Sequence, residues 1–207
     1  MESTSLIVET ASRVLRHHCD PQTLNSIAGA AWQAPAWAAL EQAGLPLAWV
    51  PEDLGGAGVS IEDGFGLIGL AGRYALALPL TETLLAGWLL ARAGIAPPPG
   101  VLTCAPTRRG DRVVLGSDGT LSGRLRAIPF AEGARHLALI AERENGSGHA
   151  IALMQLGDAG VAAGRSIAGD ALNVVSLQAA RPITTRTAPD GFDHNSLGRF
   201  VNLLHDP

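Results

Sequence analysis

Gly44-Leu45-Pro46-Leu47-Ala48-Trp49-Val50-Pro51-Glu52-Asp53-Leu54-Gly55-Gly56-Ala57-Gly58-Val59-Ser60-Ile61-Glu62-Asp63 is the stretch on which the fold turns. Pro51 and the glycines at 55, 56 and 58 cannot extend a helix, so this part is a tight loop. Ser60 then meets an acid three residues on, the pattern of a capping box, and a helix starts at once. That helix runs on through Phe65, Ile68, Leu70 and Tyr74. Working back from the loop, Trp32, Trp37 and Leu40 share a short helix that Gly44 ends in a left-handed cap. Asp20-Pro21 pairs an N-cap residue with a first-turn proline, starting a helix that buries Leu24 and Ile27. Ile7, Ala11, Val14, Leu15 and His18 recur at the spacing of one buried helical stripe. Working forward, Thr81 caps a last helix carrying Leu84, Leu85, Trp88 and Leu89, stopped by Gly94. Pro97-Pro98-Pro99 then closes the helical half, because three prolines cannot continue a helix.

Beyond Gly100 the period changes from helical to alternating. Residues 101–103, 112–115 and 120–121 read as short strands, the last two joined by the turn Ser117-Asp118-Gly119. Residues 136–141 and 149–156 form a second pair across Glu144-Asn145-Gly146-Ser147-Gly148, 174–177 is a further strand, and 196–204 reads as helix. The expected class is α+β. An all-α helical bundle domain over 1–95 is followed by an antiparallel β-barrel or sandwich domain over 100–190. Residues 191–207 are read as the first helix of a truncated C-terminal helical domain.

At 207 residues and 47% hydrophobic, the chain can bury a sizeable core. A net charge of −4 without a basic cluster argues against a nucleic-acid binder. Cys19 and Cys104 form no CxxC, which fits a reducing compartment and gives neither a disulfide framework nor a zinc site. The start Met1-Glu2-Ser3-Thr4 is not that of a secretory signal. The apolar run at 84–91 falls well short of the ~20 residues of a membrane span. The expected location is the cytoplasm.

Several motifs dissolve on inspection. Gly64-Phe65-Gly66-Leu67-Ile68-Gly69 has the spacing G-x-G-x-x-G but lies inside a helix, whereas a dinucleotide loop must join a strand to a helix. With Gly72, these glycines are read as a face that lets another helix pack close. Arg109-Gly110-Asp111 is read as a polar turn between strands. His17, His18, His136, His149, His194 and His205 show no helical i, i+4 pair, so no metal site is expected. No G-x-S-x-G elbow is present, and no residue stands out from spacing as a catalytic base or nucleophile.

The Val50-Pro51-Glu52-Asp53-Leu54-Gly55-Gly56 loop and the helix after it resemble the N-terminal helical domain of acyl-CoA dehydrogenases, in which an L-x-V-P-E-x-x-G-G loop leads into the next helix. The resemblance runs from about Ser5 to His205. A second match is the stretch 121–141, similar to the family's run from a strand glycine through a flavin-contacting W-I-T or F-I-T to an A-D-x-x-L-V-x-A strand. Here Ala127-Ile128-Pro129 stands where W-I-T would, so the aromatic and the hydroxyl are both gone. A third, Val101-Leu102-Thr103-Cys104-Ala105-Pro106, is similar to A-L-T-E-P, without its acid and with Thr107-Arg108-Arg109-Gly110-Asp111 in place of the Gly-Ser-Asp run. These departures resemble the branch that forms heteromeric dehydrogenases acting on bulky substrates such as steroid side-chain thioesters.

The resemblance implies FAD as cofactor, an acyl-CoA as substrate, and α,β-dehydrogenation as the reaction. It implies that Thr103 hydrogen-bonds the flavin and that Ile128, Pro129 and Phe130 line the flavin face. The family takes its catalytic glutamate from a C-terminal four-helix domain beyond the matched length. No residue here is therefore expected to be catalytic, and Glu132, Glu142 and Glu144 do not occupy the family position. The expected assembly is a homo- or hetero-oligomer with an acyl-CoA dehydrogenase subunit. The alternative is a non-catalytic accessory chain that pairs with a full-length dehydrogenase.

Overall fold

The computed structural model describes residues 6–19, 33–105, 110–167, 171–193 and 195–202, which form two compact units dividing between Leu84 and Leu85. The helix expected from Asp20-Pro21 with Leu24 and Ile27, as well as Trp32, His194, Leu204 and His205, lies outside the described residues.

The first unit is helical. It contains α1 (Leu6–His18), α2 (Gln33–Gln42), α3 (Ile61–Arg73) and the first turn of α4 (Leu80–Arg92). Ala11 and Leu15 are buried on α1, as the stripe requires, with Ile7, Val14 and His18 half-buried beside them. The loop folds as expected. Gly44 takes a left-handed φ of 69° before a 3-10 turn at Leu45–Leu47, and a second such turn follows at Glu52–Leu54. The Ser60 hydroxyl accepts the Asp63 N–H at 3.0 Å, which satisfies one of the orphan donors at the start of α3. Trp49 closes the loop over this helix. Its indole N–H lies within 3.2 and 3.3 Å of the Ser60 and Ile61 carbonyls, and its ring meets Phe65 edge-on at 5.4 Å.

The glycines of α3 serve packing. A Cβ on Gly64 would overlap the Trp49 indole, and one on Gly66 would press the Val8 methyl of α1 at 2.9 Å. Gly69 and Gly72 meet nothing within 4 Å, so the close-packed face is confined to the helix's first two turns. The buried stripe is Gly64, Leu67 and Ala71, with Phe65, Ile68, Leu70 and Tyr74 half-buried on its flanks. Helix α4 starts at Leu80, which puts Thr81 inside the first turn; Thr83 donates to the Pro79 carbonyl at 3.0 Å. No described helix is long and apolar enough to cross a membrane.

The second unit contains the rest of α4, an eight-stranded sheet and α5 (Ser196–Asn202). The strands are β1 (Leu102–Cys104), β2 (Arg112–Leu115), β3 (Leu121–Pro129), β4 (His136–Arg143), β5 (His149–Gln155), β6 (Gly160–Ala162), β7 (Leu172–Ala180) and β8 (Thr184–Thr187). They run in the order β6-β7-β3-β2-β4-β5-β8, with β1 beside β4. The α+β class holds, but the antiparallel expectation is corrected: β4 pairs parallel with both β1 and β2. The reason lies in the connections. β3 runs opposite to β2, and the corner at 130–135 reverses the chain again, so β4 reaches the free edge of β2 running parallel to it. β6 and β8 end the path without pairing with each other among the described residues, so the arrangement is a mixed open sheet where an antiparallel barrel or sandwich was expected.

Both predicted turns form. Asp118 accepts from the Thr120 N–H and hydroxyl at 3.0 and 2.8 Å, and Asn145 does the same for Ser147 at 3.0 and 2.6 Å. Strands β4 and β5 are buried on both faces through their middle, which accounts for their unbroken apolar runs. Leu121, Leu125, Ile128, Leu137, Leu139 and Val175 centre one continuous core. Each fully buried side chain of this size contributes about 1.5–3 kcal/mol.

Candidate functional site

The four residues expected at a flavin face come together at one corner of the sheet. Thr103 is the middle residue of β1, next to Leu137 of β4, and is fully buried. Its hydroxyl donates to the Pro129 carbonyl at 2.6 Å, joining β1 to the end of β3. Ile128 is fully buried and pairs with Asn173 of β7, and Pro129 pairs with Leu172. Pro129 and Phe130 are half-buried.

The backbone around them is held in an unfavourable conformation. Ala127 and Phe130 have φ of 55° and 53°, left-handed values that L residues with side chains rarely adopt. Each costs on the order of 1–3 kcal/mol and persists only where the surroundings enforce it. Here a bulge between Leu125 and Ile128 contains Ala127, and the turn into β4 contains Phe130. Two side chains from distant strands clamp the segment between them. Thr103 holds the Pro129 carbonyl, and Asn173 accepts the Glu132 N–H at 3.3 Å.

Asn173 was not foreseen. It is fully buried, and its Nδ2 has no partner among the described residues. A sequence signal existed: Asn173 is the polar member of the inward parity that Val175 and Leu177 continue. Nothing local marked the two left-handed residues.

The remaining sequence candidates have structural roles. Asp111 is buried, accepting from Arg126 Nε at 2.6 Å and from the Arg126 N–H at 3.1 Å, and Gly110 and Asp111 lead directly into β2; Arg109 lies outside the described residues. Glu142 pairs with Arg112 at 2.8 Å, Glu144 accepts the Ser117 N–H at 3.0 Å, and the Glu132 side chain is exposed. Among the described residues no group of three or more His, Cys, Asp or Glu could hold a metal ion. A cleft of about 260 Å³ between β2 and β4 has Val113, Leu125 and Ile140 as its apolar lining and the Arg112–Glu142 pair at its rim.

A flavin ring accepts hydrogen bonds at N1, N5 and its two carbonyl oxygens, so a fitting site must offer donors. Most of those at this corner are engaged within the chain, the buried Asn173 Nδ2 excepted. The Thr103 proton goes to Pro129, and Pro129 has neither N–H nor hydroxyl. The N–H of Phe130 goes to Ala171 at 3.3 Å, that of Glu132 to Asn173, those of Gly133 and Ala134 to Phe130 at 3.0 and 2.9 Å, and that of Arg135 to Val101 at 3.1 Å. Ala131, the remaining member, is 2% exposed. Thr103 and these N–H groups do not fit donors to a hydrogen-bonded flavin; the half-buried Pro129 and Phe130 present apolar surface there.

No protein-family model and no curated protein matches the sequence. Solved structures do match the fold. The Tcur3481–Tcur3483 steroid ACAD G363A variant superimposes with a TM-score of 0.70 at 24% identity, over 88% of this chain and 56% of its own. A chain of the ChsE4–ChsE5 complex from Mycobacterium tuberculosis gives 0.75 at 18% identity, over 99% of this chain and 60% of its own. An acyl-CoA dehydrogenase from Bacillus anthracis, complexed with FAD, gives 0.60 at 16% identity, over 88% of this chain and 36% of its own. This chain thus spans three fifths or less of each of these structures, and at such identities what is shared is the fold. Over that part of their length, the chain has the fold of acyl-CoA dehydrogenases.

Proposed function

We propose that these 207 residues form an acyl-CoA dehydrogenase-like subunit or fragment that does not turn over substrate by itself. The family reaction, FAD-dependent α,β-dehydrogenation of an acyl-CoA thioester, proceeds only when another chain or segment supplies the base. The observation that carries this reading is a fold shared over 56–60% of two heteromeric relatives. General-base catalysis needs a group within hydrogen-bond reach of the proton removed. Glu142 and Glu144 are engaged with Arg112 and the Ser117 N–H, and Glu132 does not occupy the family's position for the base. A bulky thioester of the steroid type is the substrate class we favour, as the Tcur3481–Tcur3483 relative is a steroid ACAD.

In this reading 1–95 is the helical domain, 100–190 the β domain, and 191–207 the opening of a further helical domain. The chain works as an oligomer in the cytoplasm, where the buried thiols of Cys19 and Cys104 stay reduced. One observation favours the alternative of a non-catalytic accessory chain: the Thr103 hydroxyl, expected to bond the flavin, is already engaged with the Pro129 carbonyl.

The test is turnover. The purified chain with added FAD, offered straight-chain and steroid acyl-CoAs and an artificial electron acceptor, is expected to be inactive. Co-expression with a dehydrogenase subunit is expected to give activity. Oxidation of any acyl-CoA by the chain alone would overturn the reading.

A further inference from the structure

We infer that the Thr103 hydroxyl is a strut for the Ala127–Phe130 corner and not a ligand of a flavin. Three observations converge on this. The hydroxyl's one proton is committed at 2.6 Å to the Pro129 carbonyl, and Thr103 is fully buried, so a ring outside the sheet cannot reach it. The carbonyl it holds lies between two left-handed residues, Ala127 at 55° and Phe130 at 53°, where an untethered backbone would relax. On the other side of this segment Asn173 ties down the Glu132 N–H, so the strained turn is anchored from β1 and from β7 at once. A threonine bound into such a clamp stabilises the turn. Donating to a ligand would mean releasing a buried carbonyl.

Affinity for any flavin held at this corner therefore does not depend on the Thr103 oxygen, and Pro129 and Phe130 offer it apolar contact. The inference draws on the proposed function only in naming a flavin as the ligand.

The test separates strut from ligand. Thr103→Val keeps the side chain's shape and removes the hydroxyl. It is expected to lower the urea midpoint of unfolding while leaving FAD binding, followed by quenching of flavin fluorescence, as in the unsubstituted chain. A loss of FAD affinity of about fivefold, the scale of one net hydrogen bond, with an unchanged midpoint would overturn the inference. A second measurement does not depend on that variant folding. In the unsubstituted chain the Thr103 hydroxyl proton, protected by burial and its bond, is followed by NMR while FAD is added. An unmoved resonance is expected, including where no FAD is retained; a shift that saturates with FAD would overturn the inference. Turnover by the chain alone defeats the proposed function, whereas a flavin-sensitive Thr103 hydroxyl defeats only this inference.

Discussion

His136 opens β4 with its Nδ1 buried and without a hydrogen-bond partner among the described residues. Burial, with the Arg135 charge as the lesser cause, holds its pKa below the usual 6.5. The unfolded chain therefore takes up this proton at a higher pH than the folded one. Stability contributed here is present above about pH 6.5 and falls as pH drops below it. Glu82, in the first turn of α4, acts the other way. Burial raises its carboxyl above the usual 4.5, so the folded chain is protonated first and loses stability as pH rises above that value. Asp118 and Asp193 do not confuse the window, because bonds from Thr120 and Arg199 hold their carboxyls below 3.8. Urea midpoints measured from about pH 7 to 5 should fall with acid more gently in His136→Gln than in the unsubstituted chain, and more steeply in Glu82→Gln. An identical slope in His136→Gln would show that its burial has no energetic consequence.

Among the elements, α5 shows most clearly how local chemistry builds structure. Asp193 accepts from the Asn195 N–H at 2.9 Å, from the Ser196 hydroxyl at 3.2 Å, and from both terminal nitrogens of Arg199 at 2.9 and 3.1 Å. It gathers the first turn much as an N-cap does. The ion pair itself is exposed and adds little, so the expected cost of Asp193→Ala is that of a lost cap, about 1 kcal/mol. Hydrogen exchange at the α5 amides should then accelerate about fivefold, with β4 and β5 unaffected; unchanged protection in α5 would remove Asp193 from that role. Features of this range were legible in the sequence. The Ser60 cap, the Asp118 and Asn145 turns and the start of α5 each depend on residues within a few positions of one another. What could not be read depends on partners far along the chain. β6 and β8 are short edge strands of Gly-Val-Ala and Thr-Thr-Arg-Thr whose pairing comes entirely from β7 and β5. The parallel pairings of β4, the left-handed Ala127 and Phe130, and the clamp from Asn173 follow from topology, and no local pattern encodes them. At the candidate site the positions were legible, but the destination of the Thr103 proton was not, because its acceptor is 26 residues away.

On the scale of the molecule, the question is which unit α4 stabilises. Three prolines at 97–99 mark an obvious break in the sequence, yet the compact units divide earlier, between Leu84 and Leu85, inside the continuous helix α4. The side chains within the second unit give a reason. Trp88 stacks on Phe200 of α5 at 4.3 Å and lies 5.8 Å from Phe192, and the Arg92 guanidinium sits 6.0 Å above the Phe192 ring. Aromatic pairs of this kind add about 0.5–1.5 kcal/mol beyond the area they bury, and a cation over a ring adds a further increment. Leu89 and Leu90, fully buried, lie on the same part of the helix. The sheet unit thus draws on α4 residues that a cut at the prolines would remove. A fragment covering 80–207 is expected to unfold in one cooperative transition. One covering 97–207 should lose the stack on Phe200, release α5, and unfold at a distinctly lower urea concentration. Trp88 is the only tryptophan of the longer fragment, so its fluorescence reports the docking of α5 directly. If the two fragments unfold at the same midpoint, the aromatic cluster is incidental and the sheet is stable without α4.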